Sequence, residues 1–124
     1  MNSLTLNLMV EDVDAAVHWY QQHLGFSAVM HVPDDQPYIW AMMSKGDAAI
    51  MFQSRDSLSG ELPAFADMAI GGAMTLYLKI GDPDAIYARI KADADIVKPP
   101  YTAPYGAREF VLRDLNGLYL TIAD

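Results

Sequence analysis

Three histidines, His18, His23 and His31, are the natural metal donors and general bases of this chain, and it has no cysteine. A divalent ion needs several imidazole, thiolate or carboxylate groups at ligand spacing. His18 and His23 fall within one amphipathic helical stretch, and His31 ends a strand. None stands near a carboxylate at such a spacing, so all three read as surface or boundary histidines. Glu109 is a different case. Strand alternation turns it inward, where it offers a counter-charge for a cation or, as second choice, a general base. The alternative for Glu109 is a surface acid pairing with Arg108 or Arg113. Without cysteine there is no disulfide, thiol nucleophile or thiolate metal site, which fits a reducing cytoplasm.

A second set of residues is suited to holding a small molecule rather than transforming it. Asn7, Tyr38, Trp40, Met42, Met51, Gln53, Tyr77, Glu109 and Thr121 fall on the inward face of their strands when each is read with a period of two. Tyr105 follows three prolines, Pro99, Pro100 and Pro104, in a stiffened stretch that rims the same face together with Tyr101. Aromatic faces stack on planar rings or cations, and methionine adapts to shape. The other reading is that Trp40, Met42, Met51 and Tyr77 simply fill a core.

The elements that carry these residues come as a pair. Leu4–Ala15 aligns with Met74–Ala85 at an offset of 70 residues, with six of twelve positions identical. The offset is too long for a solenoid repeat, so it reads as a duplicated half-domain. Each copy opens on an alternating strand and enters a helix at Asp12 or Asp82, which are natural N-caps. Pro83 suits the first helical position. Val13, Ala16, Val17, Tyr20 and Leu24 share one helical face before the stop at Gly25. Ile86, Tyr87 and Ile90 do so in the second helix.

Strands are expected at Phe26–Val32, Tyr38–Met43 and Ala48–Gln53, then near Ile96–Lys98, at Arg108–Arg113 and at Leu118–Ile122. A two-residue turn at Lys45-Gly46 pairs Trp40 with Met51 and Tyr38 with Gln53, and directs Ile39, Ala41, Ile50 and Phe52 to the helix; a three-residue turn shifts the pairing by one. In the last hairpin a turn with a Gly bulge at Gly117 pairs Val111 with Thr121. Residues 54–73 read as a polar connector serving as linker, lid or dimer contact. The expected fold class is α+β, with two tandem β-α-β-β-β modules. The whole of 1–124 forms one domain, module one covering about 1–55 and module two about 72–124.

The chain carries 16 acids against 8 bases, a formal charge of −8. Scattered lysines and arginines do not neutralise a phosphate backbone, so nucleic acid is not an expected partner. The acidity serves solubility or steers a cation. No apolar run approaches the roughly 20 residues of a membrane span, and Met1-Asn2-Ser3-Leu4 lacks a signal-like basic start.

The segment Asp12-Val13-Asp14-Ala15-Ala16-Val17-His18-Trp19-Tyr20 with Leu24-Gly25-Phe26, and the closing Gly106-Ala107-Arg108-Glu109-Phe110 through Asp114-Leu115-Asn116-Gly117, resemble the glyoxalase/bleomycin-resistance/dioxygenase (vicinal oxygen chelate) superfamily. There the last turn is usually Asp-Pro-Asp-Gly, from which Leu115 and Asn116 depart. The resemblance implies that the two modules form a curved mixed sheet around a cavity, with helices outside, and that the protein is a homodimer. It implies either a metal-dependent lyase, epimerase or dioxygenase, or a metal-free protein that sequesters an antibiotic. The family's four ligand positions read Thr5, Met51, Thr75 and Thr121 here. Hydroxyls and a thioether are poor donors for such ions. The expectation is therefore a cytoplasmic, bleomycin-resistance-type binding protein for a planar or cationic molecule, with no metal and no cofactor; the metal-dependent enzyme is the alternative.

Overall fold

Asp12 closes the first strand and opens the first helix, and each role is visible in the computed structural model, which describes residues 2–124. Strand β1 is Leu6–Val10 and helix α1 is Val13–Leu24. The Asp12 carboxylate accepts the Ala15 amide hydrogen at 3.0 Å. At the other end Gly25 sits at φ 71°, and its N–H and that of Phe26 bond back to Gln21 and Tyr20 carbonyls. A left-handed residue is what this helix stop requires. The buried face of α1 is Val13, Ala16, Val17, Tyr20 and Leu24, as the sequence predicts.

The chain divides into one unit ending at Ile70 and another spanning Gly71–Asp124. In the first, β2 (Ser27–Val32), β3 (Trp40–Lys45) and β4 (Ala48–Ser54) complete a mixed four-stranded sheet of order β1-β4-β3-β2, with β1 parallel to β4. One face of this sheet is covered by α1. Tyr20 packs on Phe26 and Phe52 at centroid distances of 5.7 and 5.0 Å, and Val10, Ala41 and Met43 fill the remainder.

The β3–β4 register departs from expectation. The turn is Gly46-Asp47, so Trp40 lies opposite Gln53 and Met42 opposite Met51. Gly46 has φ 56°, the left-handed first position of a two-residue hairpin turn. The slip is of two residues. Because side chains alternate with period two, Trp40, Met42, Met51 and Gln53 still share one face. Ile39, expected against the helix, falls before β3 and is 45% exposed.

The connector is also more structured than expected. It holds a helix α2 (Arg55–Glu61) and a 3₁₀ turn, Pro63–Asp67. Ser54 caps α2 by accepting the Ser57 amide hydrogen at 3.3 Å, and Leu58 is buried beneath it. The Arg55 guanidinium donates to the carbonyls of Phe65, Ala66 and Met68 at 3.4, 3.0 and 2.8 Å.

The second unit repeats the plan with β5 (Thr75–Lys79), α3 (Pro83–Ile90), β6 (Asp95–Thr102), β7 (Arg108–Arg113) and β8 (Tyr119–Ala123). Its sheet runs β5-β8-β7-β6, with β5 parallel to β8. Asp82 caps α3 through Ala85, and Pro83 is its first residue. Val111 lies opposite Thr121, the expected register. Phe110, Leu112, Leu120 and Ile122 form the core against α3, with Tyr87 edge-on to Phe110 at 5.5 Å. Strand β6 is longer than the expected segment and runs through Pro99 and Pro100. It is an edge strand, where a missing N–H costs no ladder bond.

Candidate functional site

On the face of the second sheet away from α3, three tyrosines converge on one acid. Tyr77 of β5, Tyr101 of β6 and Tyr105 of the loop before β7 all donate their hydroxyls to Glu109 of β7. The Tyr77 bond is 2.9 Å to Oε2, the Tyr101 bond 2.5 Å to Oε1, and Tyr105 lies 2.8 Å from both oxygens. Register explains the meeting. Tyr101 is opposite Glu109, and Tyr77 is opposite Thr121, which is itself opposite Val111, two residues along β7 on the same face. Glu109 is 3% exposed, while Tyr77 and Tyr105 are 48% and 69% exposed. The cluster is thus a sealed carboxylate under an open aromatic surface.

Hydrogen bonds to an anion favour its charged form. The Tyr101 hydroxyl does most to hold the Glu109 carboxyl below the ordinary carboxylate range; burial opposes this, and Tyr105, Tyr77 and the charge of Lys98 add to it. The reciprocal effect raises the tyrosines. Tyr101 is pushed up to about 12, chiefly by its bond to Glu109, and Tyr105 and Tyr77 rise for the same first reason. At neutral pH all three phenols are donors and Glu109 is the acceptor. The Lys98 ammonium lies over the Tyr101 ring, 3.9 Å from its centroid.

Arg108 and Arg113 do not pair with Glu109. Arg108 makes a two-bond contact with Asp84 at 2.9 and 3.0 Å, and Arg113 binds Asp95 at 2.8 Å.

In the first unit, the face away from α1 carries Asn7, Trp40, Met42, Met51 and Gln53. Asn7 and Met42 both lie opposite Met51, and Trp40 lies opposite Gln53. The Asn7 amide donates to Gln53 Oε1 at 2.8 Å, and the Gln53 amide donates to Ser57 Oγ of α2 at 2.9 Å. Gln53 is buried, whereas Asn7 is exposed and the three large side chains are half-buried. Tyr38 is not in this row. With β3 starting at Trp40, Tyr38 lies outside the strand, its ring stacked on His31 at 4.3 Å and its N–H bonded to Asp14 of α1 at 3.1 Å.

Sequence reasoning brought Tyr77, Tyr105, Glu109 and Thr121 to one face and missed Lys98 and Ser57. Tyr101 and Lys98 are three residues apart, which puts them on opposite faces of a regular strand. A register shift between them places both over the sheet. Ser57 had a weak signal, a serine one turn into a segment capped by Ser54.

The four positions expected from the resemblance to hold a metal carry side chains that are poor donors for a divalent ion. Thr5 and Met51 lie in the first unit, Thr75 and Thr121 in the second, all with neutral oxygen or thioether side chains. Among the described residues no group of three histidine, aspartate or glutamate side chains is placed to hold a metal. None of the described helices is long and apolar enough to cross a membrane.

The model of one protein family, described as Glyoxalase/Bleomycin resistance protein/Dioxygenase superfamily, matches residues 3–122. Among solved structures, TioX from Micromonospora sp. ML1 is similar at 25% identity and a TM-score of 0.76, with 99% of this chain and 98% of that one covered. A glyoxalase/bleomycin resistance protein/dioxygenase family enzyme from Burkholderia phytofirmans PsJN shares 23% identity at a TM-score of 0.79, covering 96% and 94%. A protein of unknown function from Agrobacterium tumefaciens str. C58 shares 19% identity at 0.83, covering 99% and 93%. No curated protein matches in sequence.

Proposed function

The chain belongs to the glyoxalase/bleomycin resistance protein/dioxygenase superfamily, and from that premise we propose that it is a metal-free protein that binds a planar or cationic small molecule. The observation that carries this reading is the state of Glu109. A metal ligand or general base needs a lone pair directed at the reacting group. Both oxygens of Glu109 are taken by phenols, and its proton affinity is lowered, which opposes a role as base. What the open face of the second sheet offers instead is phenol surface over a buried anion, while the open face of the first sheet carries Trp40, Met42 and Met51 with Asn7 and Gln53 as polar anchors; each has the composition of a ligand site.

The ligand-binding residues in this reading are Asn7, Trp40, Met42, Met51 and Gln53 of the first unit and Tyr77, Tyr105, Glu109 and Thr121 of the second. Its role is sequestration of an antibiotic-like compound, by a cytoplasmic homodimer. The lack of cysteine and the family membership support that form, and sedimentation velocity tests the dimer.

The deciding experiment is a thermal-shift screen of tag-free protein against planar and cationic compounds, run beside metal analysis of the same preparation. Stabilisation by a subset of compounds with no stoichiometric metal supports the proposal. A stoichiometric metal, or stabilisation by divalent ions alone, overturns it in favour of a metal-dependent enzyme.

A further inference from the structure

We propose that the tyrosines around Glu109 form a recognition site for an organic cation, a quaternary ammonium or N-alkylated aromatic ring, and that Lys98 is the site's resident occupant, displaced from the face of Tyr101 when the ligand enters. This deepens the binding-protein reading and rests on it.

Charge comes first. Glu109 is a buried anion, yet none of the described lysines or arginines reaches it as an ion pair. Its neighbours Arg108 and Arg113 are engaged by Asp84 and Asp95. The phenols satisfy its hydrogen bonding but leave a net negative charge below the rings. A phenol that donates to a carboxylate shifts electron density onto its ring, and a ring face attracts cations through its quadrupole. The open surface over Glu109 is therefore negative where it is aromatic.

Lys98 shows that the surface already takes a cation. Its ammonium is 3.9 Å from the Tyr101 centroid, inside the roughly 6 Å reach of the interaction. Lys98 is exposed on the edge strand β6 and is held there by no ion pair among the described residues. An exposed ammonium loses little on returning to water. An organic cation, with more apolar surface and weaker hydration, gains more from Tyr77 and Tyr105, which are open beside it. Lys98 thus competes with the ligand and sets a threshold of affinity below which the site stays closed by its own side chain.

The test uses titration calorimetry with N-methylquinolinium and with quinoline, a flat ring that is neutral at neutral pH. Wild-type protein binds the cation more tightly. Lys98→Met tightens both probes, because Lys98 must vacate the Tyr101 face for either ring, and tightens N-methylquinolinium the more, by about five-fold, because repulsion of the bound cation is lost as well. Lys91→Met removes the same charge at the end of α3 and separates this effect from general electrostatics; it leaves both affinities unchanged. Glu109→Gln removes the preference for the cation. If that variant does not fold, Tyr105→Phe, at an exposed position, takes its place and weakens the preference.

In the proton spectrum, the ring-shifted Lys98 ε-methylene signal moves to its ordinary position on adding N-methylquinolinium. Equal binding of both probes by wild type overturns the cation inference and leaves the binding-protein reading in place. Binding of neither counts against both. A Lys98→Met variant with unchanged or weaker cation binding, or a Lys98 signal that stays put in the complex, also overturns the inference.

Discussion

Tyr105 Oη lies 2.8 Å from Oε1 and 2.8 Å from Oε2 of Glu109, so one phenol straddles both oxygens of a carboxylate four residues further along the chain. The backbone makes this possible. Ala103 N–H bonds to the Ala107 carbonyl at 2.8 Å, Gly106 N–H bonds to the Ala103 carbonyl at 2.9 Å, and Gly106 adopts φ 97°. The tight turn folds Tyr105 back over the start of β7. With Tyr77 and Tyr101 it ties β5, β6 and the loop to one acid, and this bond set has consequences that pH exposes.

Glu109 is more acidic folded than unfolded, so it adds stability above the ordinary value of 4.5 and loses that contribution as pH falls through 4.5 and below. Tyr101 is the reverse. Its proton leaves at 10.0 in the unfolded chain and at about 12 in the folded one, so its contribution is complete below pH 10 and lost between 10 and 12. Urea midpoints across pH should fall at both ends in wild type. In Glu109→Gln both falls should be smaller, and the phenolate absorbance titration should move to lower pH. An unchanged phenolate titration in that variant would rule out the bond set as the cause.

Asp114 organises the β7–β8 turn. Its Oδ1 accepts the amide hydrogens of Asn116 and Leu118 at 2.8 and 2.9 Å, and the residue is buried. Asp114→Ala leaves two amides without this acceptor at a closed turn, which costs about 1–3 kcal/mol. Asp114→Asn keeps an acceptor oxygen and should recover most of the loss. Chemical denaturation of the two variants measures the difference, and equal losses would show that charge rather than the acceptor is required.

How far the sequence reveals this fold depends on which rule governs each part. Strand faces were legible because alternation has a period of two, and it survived even the two-residue slip between Met42 and Met51. The slip itself was not legible, because both Lys45-Gly46 and Gly46-Asp47 put a glycine in the turn. Glu109 was placed inward correctly, since the turn with left-handed Gly117 (φ 84°) sets the β7–β8 register that was expected. Lys98 and the reach of β6 were hidden by two prolines and by register shifts that no local propensity encodes. Helix α2 was hidden because Leu58 is its one buried side chain, too little apolar periodicity to show.

Metal should leave the protein indifferent. The positions expected from the resemblance to hold a metal carry Thr5, Met51, Thr75 and Thr121, and both oxygens of Glu109 accept from phenols. A bound ion present at about 100 times its Kd would add ~2.7 kcal/mol to stability. Manganese, nickel and zinc ions, each added to chelator-treated protein, should produce no such gain in denaturant midpoint. A gain of that size with any one of them would mean that donors outside these positions assemble a site.

Arg55 anchors the segment between the first sheet and the 3₁₀ turn. One guanidinium nitrogen serves the carbonyls of Phe65, Ala66 and Met68, and the other reaches Glu11 at 3.5 Å. Hydrogen bonds from a charged donor are stronger than neutral ones, yet the site is part-exposed and the Glu11 pair alone is worth little. The effect of Arg55→Ala should therefore be local. Amide exchange of Leu62, Phe65 and Met68, whose N–H groups bond within this segment, should accelerate by about ten-fold, the effect of losing roughly 1.4 kcal/mol of local stability. Exchange in β4 should hardly change, because its ladder to β1 and β3 does not involve the guanidinium. Arg55→Lys keeps the charge but not the fork that spans several acceptors, so it should rescue little. Uniform acceleration across the first unit would instead make Arg55 a support of the whole sheet.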